Sequence, residues 1–231
     1  MRIVKFIAVL LLVFGAIAIA LYLYADRIAA AVLEKNYGLT IKYAKCSKNL
    51  LSCEFTFTDL LVSSKETGMG ILSKTAKIKL LPKDGTALIN FALTEGNFLK
   101  KPEAVPAHYD TLTALVAAPF DSGWRYHSIS GQVEPSEKGM KLNDFRATSD
   151  EIKLSLNGEL LSAGTIEAKA MIYFGAAITD RIPPEFAAMI LTDEKGEWKS
   201  LSVTLTGDPN KPSVQLKSKS FRLSIKAVSG V

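Results

Sequence analysis

Residues 152–174 read IKLSLNGELLSAGTIEAKAMIYF, and apolar and polar residues alternate along both halves of this stretch. Side chains of a β-strand point to opposite faces in turn, so the pattern predicts two half-buried strands joined by a short polar turn. The apolar set is Ile152, Leu154, Leu156, Leu160, Ile166, Ala168, Ala170, Ile172 and Phe174, and Lys153, Ser155, Asn157 and Glu159 oppose its first half.

The same alternation extends in both directions from this stretch. It predicts about ten strands, mostly linked by short turns, and therefore an antiparallel meander in a mainly β protein. In one of these strands Phe55, Phe57 and Leu61 are expected to share a face. The other apolar sets are Ala76, Ile78 and Leu80; Ile89, Phe91 and Leu93; Ile129, Gly131 and Val133; Met140 and Leu142; Leu201, Val203 and Leu205; Val214 and Leu216; and Phe221, Leu223 and Ile225.

A sheet of this length has to bury its apolar face. It can close into a barrel, fold over itself, be covered by helices or hold an apolar ligand. If the face lines an open groove, the candidate lining residues are Phe55, Phe57, Ile78, Leu80, Phe91, Leu93, Leu154, Leu156, Ile172, Val203 and Leu205.

Two segments interrupt the alternation. Residues 108–120 place Leu112, Leu115 and Val116 at helical spacing, and residues 178–192 carry two prolines just before a predicted helix over Glu185–Leu191. Both helices are short and amphipathic, and we expect them to plug the end of the sheet or to lie along its apolar face. Binding to a membrane surface is the alternative, but the segments carry little cationic charge for it.

The N-terminus predicts a membrane anchor. Residues 3–24 are apolar except for Lys5, and these 22 residues are long enough to cross about 30 Å of hydrocarbon. Arg2 and Lys5 favour a cytoplasmic N-terminus, which places the rest of the chain outside. A cleaved signal peptide is the rival interpretation, but its apolar core is usually shorter. We therefore predict two parts of the chain: residues 1–36 form a cytoplasmic stub, the anchor and its helical extension, and residues 37–231 form an extracytoplasmic β-rich domain.

The only cysteines, Cys46 and Cys53, flank a short turn. In an oxidising compartment such a pair is a candidate disulfide. A redox or metal-binding pair is the alternative, but no histidine or further cysteine lies nearby to complete a tetrahedral metal site.

Charge and motifs argue against nucleic-acid binding and catalysis. The net charge is +5, but the lysines are scattered singly through alternating segments rather than clustered with aromatic residues. His108 and His127 belong to no catalytic motif, and no phosphate-binding, hydrolase or metalloprotease pattern occurs. We predict a protein that is not an enzyme and needs no cofactor.

Several stretches resemble the AsmA-like family of membrane-anchored envelope proteins. Residues 37–41 (YGLTI) and 53–62 (CEFTFTDLLV) resemble the opening of the family pattern. The other stretches are 70–72 (GIL), 76–80 (AKIKL), 126–133 (YHSISGQV), 138–142 (KGMKL), 154–158 (LSLNG), 164–166 (GTI) and 205–212 (LTGDPNKP).

This resemblance implies a single anchor in the bacterial inner membrane and a periplasmic sheet curled into an apolar groove. It further implies a role in envelope and outer-membrane biogenesis through lipid binding or transport. About ten strands at roughly 4.8 Å spacing reach only some 48 Å, so bridging an envelope would need partners or stacking of several copies. The chain is also similar in size and layout to the type II secretion component called protein N. That similarity implies the alternative, a scaffold or assembly component without ligand. The expected partners are the inner membrane, phospholipid and other envelope or secretion proteins.

Overall fold

A computed structural model describes much of the chain. The described residues are 27, 30–31, 34–35, 38–49, 51–65, 68–83, 86–99, 112, 115–116, 118–120, 123–136, 139–161, 164–208, 213–218 and 222–226. The predicted anchor at 3–24 lies outside them. Within these residues, no helix has the length and apolar character needed to cross a bilayer.

Thirteen antiparallel strands form one sheet, which confirms the mainly β class and exceeds the expected number of strands. Two short helices, α1 (Ala176–Thr179) and α2 (Pro184–Ile190), follow the ninth strand. The strands are β1 (Leu39–Lys42), β2 (Lys45–Asn49), β3 (Glu54–Ser64), β4 (Gly70–Lys83), β5 (Thr86–Leu99), β6 (Tyr126–Ser136), β7 (Gly139–Thr148), β8 (Ile152–Leu161), β9 (Ile166–Phe174), β10 (Thr192–Asp193), β11 (Lys199–Gly207), β12 (Ser213–Lys217) and β13 (Arg222–Lys226).

Most strands pair with their neighbours in the chain, as a meander requires. The order is β1-β3-β4-β5-β6-β7-β8-β9-β11-β12-β13, with β2 pairing beside β1 on β3, and β10 pairing on β11. Among the described strands no pairing joins β13 to β1, so the sheet is open. The eleven strands of the path span about 48 Å at 4.8 Å per spacing.

A row of directly opposed apolar side chains crosses the sheet. Opposed residues of an antiparallel pair lie on the same face, so this central row defines the inner face of the sheet. From Ala76 to Leu201 every member of the row is buried. The row consists of Phe57, Ala76, Leu93, Ile129, Ala147, Leu154, Ile172 and Leu201.

The alternation of β3 shifts by one residue at Asp59. This residue has φ 52°, a left-handed conformation that aspartate tolerates better than most residues. Thr58 and Asp59 are both exposed, and the buried Leu60 follows Phe57 on the inner face. The expectation that Leu61 shares a face with Phe57 was therefore wrong.

The neighbouring strands shift at the same level. Glu95 of β5 has φ 50°, and the inner-face residue that follows Leu93 on this strand is Gly96, three positions on instead of two. On β4, which lies between these two strands, the successive inner-face residues are Ala76 and the buried Ser73, again three positions apart. The shifts line up across β3, β4 and β5, and we call this line the crease.

A bulge distorts β7. Asp144, with φ 49°, is the extra residue of β7 where the register with β6 and β8 shifts. Its backbone N–H donates to the side-chain oxygen of Asn157 at 2.7 Å, so the bulged amide has a partner. Gly131 of β6 lies beside the bulge, where an added Cβ would be 3.2 Å from the Cα of Phe145. Bulges bend a strand and increase its twist.

Helical segments cover one end of the inner face. Of the segment at 108–120, the described Leu112, Leu115 and Val116 are helical, and both leucines are buried in the core. The second predicted helix is α2, which begins one residue earlier than expected with Pro184 in its first turn. It buries Ala187 and Ile190 in the same core, as expected for a segment that packs on the apolar face.

Candidate functional site

Two further apolar rows run parallel to the central row on the inner face. The second row is Phe55, Ile78, Phe91, Gly131, Phe145, Leu156, Ala170, Val203, Leu216 and Leu223. The third row is Leu80, Ile89, Val133, Leu142, Gly158, Ala168, Leu205 and Val214.

Burial decreases from the central row towards the strand ends. Most members of the second and third rows are half-buried. Beyond them Met140, Leu160 and Ile166 stand opposite one another on β7, β8 and β9, and we call these three residues the rim. Met140 is 43% exposed and Leu160 is 45% exposed. The apolar surface therefore continues past the covered core to solvent.

The other end of the inner face is closed by an aromatic cluster. The ring of Phe98 lies 5.4 Å from that of Tyr126 and 5.5 Å from that of Phe120, both edge to face. The Tyr126 hydroxyl donates to the carbonyl oxygen of Pro119 at 2.6 Å, which satisfies the polar end of this buried side chain. Burial raises the pKa of Tyr126 well above its usual range, so the hydroxyl stays protonated. The inner face thus has one closed end and one open rim.

The structure places all eleven predicted lining residues on the inner face. Phe57, Leu93, Leu154 and Ile172 are in the central row. Phe55, Ile78, Phe91, Leu156 and Val203 are in the second row, and Leu80 and Leu205 are in the third. Leu93, Leu154, Ile172 and Val203 are buried, and the other seven are half-buried. Their role as the lining of a ligand groove stays a prediction.

Sequence analysis missed a lysine at the start of the second row. Lys48 of β2 stands directly opposite Phe55, so its side chain lies on the inner face at the edge of the sheet. A second lysine on this face, Lys199, lies at the closed end and forms an ion pair with Asp193 at 2.8 Å. The β2 segment lacks apolar alternation, and its pairing with β3 alone reveals the position of Lys48.

The candidate disulfide between Cys46 and Cys53 is not formed. Cys46 stands opposite Phe57, whereas Cys53 immediately precedes β3 and its carbonyl oxygen continues the ladder to Leu80. Along β3, Cys53 lies four residues before Phe57, the partner of Cys46. The two cysteines are therefore about 13 Å apart in the strand direction. A disulfide requires Cα atoms within about 7 Å, so this register excludes the bond.

The outer face carries charged pairs along the crease. Glu95 accepts from Lys74 at 3.3 Å and also forms an ion pair with Arg125. Hydrogen bonds from Lys74 and then Arg125 hold the pKa of the Glu95 carboxyl below its usual range. His127 lies 3.1 Å from Asp150, and both side chains are exposed. These are solvated surface pairs of modest energy.

Two surface cavities lie away from the rim. One, of about 390 Å³, is lined by α1, β10 and the start of β11 and contains Asp180, Glu197 and Trp198. The other, of about 420 Å³, lies between Arg27 and β1. Within the described ranges, no group of three or more His, Cys, Asp or Glu side chains is placed to hold a metal ion.

Comparisons with family models, with curated proteins and with solved structures found no match to this chain. The resemblance to the AsmA-like family stays a prediction.

Proposed function

We propose that this chain binds the acyl chains of lipids on its inner face. The observation that carries the proposal is the continuity of the apolar rows from the buried central row to the exposed rim at Met140 and Leu160. Isolated apolar side chains on a surface are ordinary, but a contiguous apolar surface bordered by polar residues is typical of a binding site. The occupant of such a surface is itself apolar.

A curled sheet gives this surface the form of a groove. The central row is buried along most of the sheet. The described helical segments and the residues next to them cover part of it. Their buried apolar side chains are Leu112, Leu115, Ile182, Ala187, Ile190 and Leu191, and half-buried ones such as Val116, Phe120 and Phe186 pack against the same core. In the proposed groove, curling of the sheet would supply the rest of the cover, and the bulge at Asp144 would favour such a bend because bulges bend a strand. In this arrangement the groove is closed at the aromatic cluster of Phe98 and Tyr126 and is open at the rim.

The cellular setting follows from the N-terminal sequence. An uncleaved anchor at 3–24 would hold the chain in the bacterial inner membrane with the sheet in the periplasm. There the groove would take phospholipid as part of envelope biogenesis. A reporter enzyme that is active only in the periplasm, fused to the C-terminus, should be active. A cytoplasmic C-terminus would refute this orientation.

Native mass spectrometry of the full chain in mild detergent tests the binding function. The wild type should carry phospholipid, and Leu142→Lys should lose most of it because the lysine would place a charge in the third row. Leu72→Lys is the matched control, since Leu72 is 43% exposed and lies on the outer face opposite Leu61. An empty wild-type protein, or equal lipid content in both variants, would refute the proposal.

A scaffold role is the second candidate function. The observation that favours it is that no described strand pairs beyond β1 or β13 at the two ends of the strand order, because an unpaired strand edge can accept a strand from another protein. Crosslinking in membranes would then recover one fixed protein partner through these edges. Recovery of lipid alone would exclude this role.

A further inference from the structure

The second row begins with a charge. Lys48 stands opposite Phe55, Phe55 stands opposite Ile78, and Ile78 stands opposite Phe91. The four side chains therefore share the inner face, with Lys48 on the edge strand and three apolar side chains in line beyond it. A cation at one end of an apolar strip matches a ligand that has an anionic head and a hydrocarbon tail.

The length of the strip fits one acyl chain. Three strand spacings separate β2 from β5, which is about 14 Å at 4.8 Å per spacing. Half of a bilayer's hydrocarbon core, the layer that one set of acyl chains fills, is about 15 Å thick. Phe55, Ile78 and Phe91 are all half-buried, so each keeps surface that a hydrocarbon chain can cover.

We propose that Lys48 binds the anionic head group of an amphiphile whose acyl chain lies over Phe55, Ile78 and Phe91. This inference rests on the proposed lipid-binding function and adds a defined orientation of the bound lipid. The head group lies at the β2 edge, and the tail points towards the centre of the sheet. Selectivity for anionic over neutral amphiphiles follows, because only an anionic head group gains the charge–charge attraction to the ammonium group.

A competition experiment on the full chain in detergent tests this orientation. The probe is cis-parinaric acid, a fluorescent fatty acid, and the competitors are palmitic acid, hexadecanol and lysophosphatidic acid. Palmitic acid should compete about fivefold better than hexadecanol, the upper end for a partly exposed ion pair. Lysophosphatidic acid, whose phosphate head is also anionic, should likewise compete better than hexadecanol, and failure to do so would contradict recognition of the head group by charge. Inorganic phosphate alone should not displace the probe, and displacement would show a plain anion site and overturn the proposal.

Lys48→Met should remove the preference for palmitic acid and leave the affinity for hexadecanol unchanged. Lys45→Met is the matched control, because Lys45 lies on the same strand but opposite Thr58, on the outer face. Equal competition by acid and alcohol in the wild type, or a preference that survives Lys48→Met, would overturn the orientation while leaving lipid binding intact. Failure of every amphiphile to compete would instead refute the proposed function.

Discussion

The hydroxyl of Ser73 lies 2.9 Å from the backbone carbonyl oxygen of Thr94 on the neighbouring strand. The same hydroxyl is 2.8 Å from the carbonyl oxygen of Thr75. It carries one proton, so it donates to one of these two oxygens at a time. Ser73 is buried, and it supplies a hydrogen bond where the crease interrupts the ladder between β4 and β5.

Replacement of Ser73 by alanine should therefore destabilise the fold. The change removes the hydrogen bond that this buried hydroxyl donates to a backbone carbonyl oxygen, a net loss of about 0.5–1.5 kcal/mol. Chemical denaturation of the two proteins measures the difference in the free energy of unfolding. Ser128→Ala, at an exposed position on the next strand, is the control and should change it by less than about 0.5 kcal/mol. Equal effects of the two substitutions would show that the Ser73 hydroxyl has no such role.

The central row should respond to loss of volume. Ile129→Ala and Ile172→Ala each remove part of a buried side chain, and we expect a loss of about 2–5 kcal/mol for each. Leu72→Ala on the outer face should cost much less because that side chain is already largely in water. Similar losses at all three positions would contradict the assignment of the inner face.

Gly131 should not accept a side chain. A Cβ at this position would lie 2.8 Å from Cζ of Phe91 and 3.2 Å from Cα of Phe145, closer than ordinary packing allows. Gly131→Ala should cost about 1–3 kcal/mol in thermal or chemical unfolding. Gly175→Ala is the matched control, since the nearest atom there is 3.4 Å away and its φ of −77° suits alanine. A neutral Gly131→Ala would show that the Phe91 ring and the bulge on β7 can make room for a methyl group.

The Glu95 ion pairs should make stability depend on pH. A carboxyl whose pKa is lowered in the folded state contributes stability above its unfolded pKa, and this contribution disappears as the pH falls through the folded value. Glu95→Gln should therefore destabilise the protein at neutral pH, and the difference from wild type should vanish in acid. Unfolding curves from pH 7 to about pH 3 measure this difference.

A double variant isolates the cause of that pH dependence. In a Lys74→Met/Arg125→Met background the Glu95→Gln difference should be small at every pH, because the partners that lower the pKa are gone. An unchanged difference in this background would assign the effect to another group.

The two cysteines should be indifferent to reductant. A disulfide between residues this close in the chain would contribute about 2–3 kcal/mol. Because the register keeps Cys46 and Cys53 apart, the melting temperature of protein purified under oxidising conditions should be the same with and without reductant. Cys46→Ser/Cys53→Ser serves as the reference. A drop that occurs in the wild type alone would show that the bond forms.

The sequence predicted the sheet and the composition of its inner face, because period-two alternation directly reflects side-chain direction. Ile152, Leu154, Ile172 and Phe174 are all buried as expected. The alternation failed at Asp59, where a left-handed backbone shifts the phase in a way that no apolar pattern records. Leu61 was consequently assigned to the wrong face.

The disulfide predicted for Cys46 and the unforeseen position of Lys48 on the inner face have one cause. Strand β2 is polar, so its existence and its pairing with β3 depend on register rather than on its own alternation. Chain proximity favoured a disulfide, whereas the register sets Cys46 against Phe57. The same register turns Lys48 inward, which composition does not reveal.

The consecutive pairing of the strands makes the size of this protein adjustable. A hairpin added to or removed from the middle leaves the remaining pairs in place, as in proteins built from stacked repeats. Each hairpin changes the distance between the two edges by two spacings, about 9.6 Å. Reach can therefore evolve in discrete steps without redesign of either end.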